Sequence, residues 1–294
     1  MITEGTMPYL GYRTYYRIAG SIGSGKTPVL LLHGGPGSTH NYFEVLDSLA
    51  EEDGRALVTY DQLGCGNSYL DGHPELWTME TWLWELIALR EYLGLGDVIL
   101  LGQSWGGMLL LEYLCRHDHS GVRGAVLSST LPSSRMWAEE QARMITQLPA
   151  AMQEAIRLAV ESGDFTSPAY REAEDTYMRL HAGGEYGPGD PDCLTRPKRA
   201  GEECYLTAWG PNEFTPTGTL CDFDVTECLG TIDLPTLVVS GGSDLCTPYI
   251  AKYMADRIPG ARWELFRTCR HTCFVEENKK YIDLLRAWMA ERGI

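Results

Sequence analysis

The sequence predicts an α/β fold: a mostly parallel central sheet, helices on both faces, and a helical cap inserted between two strands. Three observations predict it. Short apolar runs alternate with helical periods, the pattern of a sheet with crossover helices. The runs are continuously apolar rather than alternating, as strands buried on both faces require. The rhythm then breaks between about Leu131 and Gly230, where helical stretches replace strands.

The elements follow in chain order. Thr14–Ile18 reads as an early strand. Val29–Leu32 comes next and runs into His33-Gly34-Gly35-Pro36-Gly37. Ala56–Tyr60 is a strand ending at Asp61. Trp82, Leu86, Leu89 and Leu93 then fall on one helical stripe, which Gly94 stops. Val98–Leu101 leads into a helix from Trp105 toward Arg116, and Gly124–Ser128 is the next strand. Inside the interruption, Met152, Ala155, Ile156 and Ala159 make one stripe. Tyr170, Ala173, Tyr177 and Leu180 make another, opened by Ser167 as cap and Pro168 in the first turn. Thr236–Ser240 resumes the sheet, Trp263–Phe266 ends it, and Tyr281–Ala290 closes the chain as a helix. The expected division is a core of residues 1–130 and 231–294 carrying a cap of 131–230.

Composition narrows the function. Hydrophobic residues make up 44% and charged residues 22%, ordinary globular usage that argues against disorder. The 294 residues carry a net charge of −16, a surface that repels phosphate backbones, so nucleic acid is not an expected partner. No stretch approaches the ~18 apolar residues of a membrane helix. Met1–Ile18 lacks a basic start followed by an apolar block, so a cytoplasmic location is expected. The nine cysteines form no CxxC pair, which favours free thiols over a disulfide framework. Cys269, His271 and Cys273 lack a fourth metal ligand at a usual spacing; no metal and no cofactor is expected.

The chemistry centres on Gly102-Gln103-Ser104-Trp105-Gly106, a G-x-S-x-G run directly after a strand and before a helix. A serine on such a sharp turn stands above the sheet edge, and small neighbours relieve the crowding. A hydroxyl needs a base to become a nucleophile. His271 lies beyond the last strand and Asp244 beyond the preceding one. The chain order Ser104, Asp244, His271 is that of a hydrolase triad on an α/β sheet. Each member also follows the carboxyl end of a strand, where open sheets place their sites. His33 is assigned to shaping the glycine loop. His40, His73, His117, His119 and His181 are assigned structural or solvent roles. Glycines let backbone approach a substrate closely, so the N–H groups of Gly35 and Trp105 are the expected oxyanion donors.

His33–Gly37, Asp61-Gln62-Leu63-Gly64-Cys65-Gly66-Asn67-Ser68, Gly102–Gly107 and Trp209-Gly210-Pro211-Asn212-Glu213-Phe214 together resemble the proline iminopeptidases (prolyl aminopeptidases). These are α/β-hydrolase serine peptidases similar to the tricorn-interacting aminopeptidase. The resemblance covers nearly the whole chain. It implies an α/β-hydrolase fold, the triad and oxyanion donors already named, and Glu213 as the cap carboxylate that binds the substrate's free amino group. An unpaired buried ammonium is costly, so such a partner makes physical sense. One position departs from the family pattern. Leu245 stands where a second amine-binding glutamate often follows the triad aspartate, leaving Glu185, Glu202, Glu203 or Asp222 as substitutes. Among the aromatics near the pocket, Trp105, Trp137, Tyr205 and Trp209, most are expected in the core.

The expected activity is a serine hydrolase releasing an N-terminal amino acid, proline above all, from a small peptide or amide with a free amino group. An amidase or esterase for amino-acid amides or a small biosynthetic intermediate is the alternative. A non-catalytic binder on the same fold is the third reading.

Overall fold

The computed structural model describes residues 1–294. Its eight strands are β1 (Ile2–Tyr9), β2 (Tyr12–Ala19), β3 (Val29–Leu32), β4 (Leu57–Asp61), β5 (Val98–Gln103), β6 (Val122–Ser128), β7 (Thr236–Gly241) and β8 (Arg262–Phe266). They form one sheet in the order β1-β2-β4-β3-β5-β6-β7-β8. The β1–β2 and β2–β4 pairs are antiparallel, and every later pair is parallel. The two-sided burial inferred from sequence is visible residue by residue. Leu30, Leu32, Val58, Leu100 and Val238 enter one core cluster, while Val29, Leu31, Leu57, Leu101 and Val239 enter the other.

The crossover helices are α1 (Asp47–Asp53), α2 (Met79–Tyr92) and α3 (Trp105–Arg116). Trp82, Leu86 and Leu89 of the anticipated stripe are buried on α2. Between β6 and β7 come only helices: α4 (Ser134–Ile145), α5 (Ala150–Ser162), α6 (Pro168–His181), α7 (Asp192–Thr195) and α8 (Glu202–Ala208). Trp137, Ile156, Tyr177 and Phe214 from this interval continue the first core cluster, so these helices pack on the body of the molecule. The Ser167 side chain accepts from Tyr170 N–H, as the Ser-Pro start requires. α9 (Pro248–Arg257), α10 (Cys273–Glu276) and α11 (Asn278–Arg292) complete the chain. No helix is long and apolar enough to cross a membrane.

Two local expectations are corrected. β1 was not anticipated, because Gly5 and Pro8 interrupt it and its side chains are largely exposed at the sheet edge. Leu180 does not extend the apolar stripe of α6. It is 50% exposed, and the buried stripe stops at Tyr177.

Glu85 on α2 is fully buried. Its carboxyl accepts from Leu63 N–H at 2.9 and 3.0 Å and from the Thr14 hydroxyl. Burial pushes its pKa up to about 8, the Asp61 charge adds to this, and the hydrogen bonds offset only part. The folded pKa therefore lies above the unfolded one. Its contribution to stability is complete below about 4.5 and is lost as pH rises through about 8. Glu85→Gln, which stays neutral, is expected to flatten the fall in Tm between these pH values. An unchanged slope in thermal melts would refute the assignment.

Candidate active site

β5 ends at Gln103, and Ser104 sits on the bend before α3 with φ 55° and ψ −124°. That backbone is strained for any residue with a Cβ and is held by its surroundings. The surroundings are tight. A Cβ at Gly102 would meet the Gly106 backbone, and one at Gly106 would meet the Leu32 carbonyl. Only glycine lets α3 start this close to β3 and β5. The Thr130 hydroxyl donates to the Ser104 carbonyl at 2.6 Å and braces the bend from the segment after β6.

Asp244 follows β7 and His271 follows β8. His271 Nδ1 lies 2.7 Å from Asp244 Oδ1. Every side of the carboxylate is used. Oδ1 also accepts from Cys246 N–H at 2.9 Å, and Oδ2 accepts from the Ser129 hydroxyl at 2.6 Å and Gly241 N–H at 2.9 Å. With Nδ1–H donating to Asp244, Nε2 is the free, basic nitrogen. Burial alone would lower the His271 pKa. The Asp244 charge and hydrogen bond outweigh it, with Glu213 and Glu276 adding, so the ring sits above its ordinary value. Trp137 packs against the ring edge-on, centroids 6.3 Å apart.

Ser104, His271, Gly35 and Glu213 line one cavity of about 690 Å³. Its size falls in the range of small-molecule sites. No hydrogen bond joins Ser104 Oγ to His271 in this resting arrangement. Catalytic hydrogen bonds in empty sites are often long and tighten on substrate binding. Gly35 has φ 116°, a conformation reserved for glycine. Its N–H makes no intramolecular backbone bond, and the Trp105 N–H opens α3, where helical N–H groups lack intrahelical partners. Both candidate donors are thus free.

Two loops are locked behind them. His33 Nδ1 donates to the Gly34 carbonyl at 2.8 Å, and Nε2 accepts from Gln62 N–H at 3.0 Å. Burial lowers the His33 pKa to about 4, so it stays neutral and structural. Gln62 bonds the His33 carbonyl at 3.1 Å and Trp105 Nε1 at 2.7 Å, tying the glycine loop to the serine bend. The Tyr42 hydroxyl accepts from Gly34 N–H at 2.6 Å and donates to Gln103 at 3.0 Å.

Glu213 is anchored through its main chain. Its carbonyl accepts from Trp137 Nε1 at 2.7 Å and Trp209 Nε1 at 3.2 Å. The carboxyl forms no ion pair within the protein and has the Tyr205 hydroxyl beside it. Burial raises its pKa; the charge of His271 and the Tyr205 bond pull the other way.

The proposed substitutes for a second carboxylate fare differently. Glu203 is spent on Gly72 N–H, His73 N–H and Trp77 Nε1. Glu185 and Asp222 are exposed and do not line the cavity; Glu202 lines it but is exposed. Leu245 is buried and does not line the cavity, and its carbonyl accepts from Gln141. The acid whose charge reaches Glu213 is Glu174 on α6, bonded to the Tyr170 hydroxyl at 2.8 Å.

Ser129, Gln62, Tyr42 and Glu174 were missed from sequence. Ser129 carried a signal, since it directly follows the end of β6 at the same sheet edge. Of the aromatics, Trp105, Trp137 and Trp209 are buried, and Tyr205 lines the cavity. Cys269 and Cys273, which flank His271, turn toward Glu277 and the Arg270 carbonyl.

Residues 27–171 match the model of the alpha/beta hydrolase fold. The proline iminopeptidase of Clostridium botulinum is 54% identical over 288 residues, covering 98% of both chains. The chain belongs to the proline iminopeptidase family. That of Clostridioides difficile is 52% identical over 98% of each chain. Among solved structures, VinJ superposes with a TM-score of 0.89 at 35% identity, covering 98% of each chain. The proline iminopeptidase of Mycobacterium smegmatis superposes with 0.85 at 30% identity, covering 99% of this chain and 98% of its own. The family membership agrees with the resemblance drawn from the sequence motifs.

Proposed function

We propose that this chain is a serine-dependent proline iminopeptidase, releasing an N-terminal residue from short peptides, with residues 131–230 as its cap. Its membership of the family supports the reaction class. One observation carries the substrate class: an unpaired carboxylate, Glu213, in the cavity that holds Ser104 and His271. A protonated substrate amine supplies the missing cation and favours the charged form of that carboxyl.

With the amine on Glu213, the first carbonyl of the peptide is delivered to Ser104. His271 Nε2 takes the hydroxyl proton as Oγ attacks. Asp244 keeps Nδ1 protonated and stabilises the imidazolium. The N–H groups of Gly35 and Trp105 receive the developing oxyanion, each worth about 2.7–4 kcal/mol of barrier. His271 returns the proton to the leaving amine. Water, deprotonated by the same ring, then hydrolyses the acyl-enzyme.

Glu213→Gln tests the reading. Its kcat/KM for prolyl-naphthylamide is expected to fall on the order of 10²-fold, and that for an aryl acetate ester far less. Because Glu213 helps hold the His271 pKa up, the acid limb of the variant's ester profile is expected to move to lower pH. Equal losses on both substrates would overturn the amine-binding role.

A further inference from the structure

The cavity also carries a charge of opposite sign that pairs with no group of the protein. Lys198 is the one lysine or arginine among its lining residues. It makes no ion pair or hydrogen bond within the protein, whereas its basic neighbours are engaged. Arg196 is bonded to Glu44 and Asp192, and Arg199 lies flat on the Tyr69 ring, 3.2 Å from the centroid. Desolvation pushes the Lys198 pKa down, and no neighbouring carboxylate opposes it. Lys198 and Glu202 both line the cavity from exposed positions and no ion pair joins them; Lys198 also borders the neighbouring cavity that holds Arg17, Glu44 and Asp61.

Lys198 is not on a loose loop. The Arg199 carbonyl accepts from Gly66 N–H at 2.7 Å, and Gly201 N–H donates to the Gly37 carbonyl at 2.8 Å. Pro197 stiffens the segment on the other side. The ammonium is therefore carried on a strap fastened to the glycine loop that includes Gly35. Glu213 hangs instead from Trp137 and Trp209. In a chain of net charge −16, an exposed cation lining the active cavity, on a backbone segment held to the glycine loop, favours an anionic group there.

We propose that Lys198 binds the free C-terminal carboxylate of a short peptide substrate, making it a specificity-determining residue on the leaving-group side. This rests on the peptidase reading above. A substrate with an ammonium at one end and a carboxylate at the other can pair with both Glu213 and Lys198, neither of which has an ion-pair partner within the protein. Longer peptides and C-terminally blocked substrates satisfy only Glu213. The enzyme is thus built for di- and tripeptides.

The test compares kcat/KM for Pro-Gly with Pro-Gly-amide, and for Pro-Gly-Gly with its amide, on the intact protein. The native enzyme is expected to favour the free carboxylate about tenfold for at least one length, the weight of one charge-assisted hydrogen bond. Lys198→Gln is expected to bring that ratio near one, and Lys198→Arg to restore much of it. Each ratio is taken on one preparation, so it does not depend on how much protein folded. Ratios near one in the native enzyme at both lengths, or an unchanged ratio in Lys198→Gln, would overturn the proposal and leave the peptidase reading standing. Absence of turnover on all four peptides and on prolyl-naphthylamide would remove the peptidase reading itself.

Discussion

Replacing Ser104 with alanine is expected to cut hydrolysis of prolyl-naphthylamide by a factor on the order of 10⁶. The loss is complete because nothing else in the cavity replaces the attacking oxygen. The same change is expected to abolish labelling by a fluorophosphonate probe. Stability is expected to stay level, because alanine keeps the Cβ that strains φ 55° and Ser104 Oγ holds nothing else in place. Ser104→Gly separates the two roles of the position. It is equally inactive, but relief of the strained backbone is expected to raise stability by on the order of 1 kcal/mol. A Ser104→Ala protein with native turnover and an unchanged melting curve would rule out the proposed nucleophile.

The second large effect is at Asp244. Asp244→Asn is expected to lower kcat about 10⁴-fold. An amide offers one acceptor oxygen where the carboxylate offers two, and here four donors converge: His271 Nδ1, Cys246 N–H, Ser129 Oγ and Gly241 N–H. If the amide oxygen faces His271, its NH2 group confronts Gly241 N–H. If it faces Gly241, the NH2 group confronts the ring and favours the wrong tautomer. Either way a buried donor loses its acceptor, at about 1–3 kcal/mol. The expected signature is a lower Tm together with the rate loss. Ser129→Ala removes one donor and one bond, and is expected to cost far less rate. A native kcat in Asp244→Asn would refute the proposed role for Asp244.

The sheet was legible wherever strands are buried on both faces. Val29–Leu32 was read to the residue, and Val98, Thr236 and Phe266 each mark a true boundary. β1 was not legible because an edge strand needs no apolar run. α1, α7, α8 and α10 are seven residues or fewer, too short to show a helical period. In the site, Ser104, Asp244 and His271 could be read because each stands just past a strand end in an ordered series. Glu174 could not, since its relation to Glu213 depends on how α6 lies over the segment after α8. Lys198 was hidden for the same reason. In the sequence it is one basic residue within Arg196-Pro197-Lys198-Arg199, and only packing shows that its neighbours are engaged and it is not.

The two indole hydrogen bonds to the Glu213 carbonyl have a consequence for retooling this protein. They grip an atom that every amino acid possesses, so the main chain keeps its anchor when the side chain is exchanged. The new side chain still has to fit the buried space beside Tyr205 and His271. Libraries of similar-sized side chains at residue 213 should keep that anchor while exchanging the kind of head group admitted, with the His271 pKa moving wherever the carboxylate is lost.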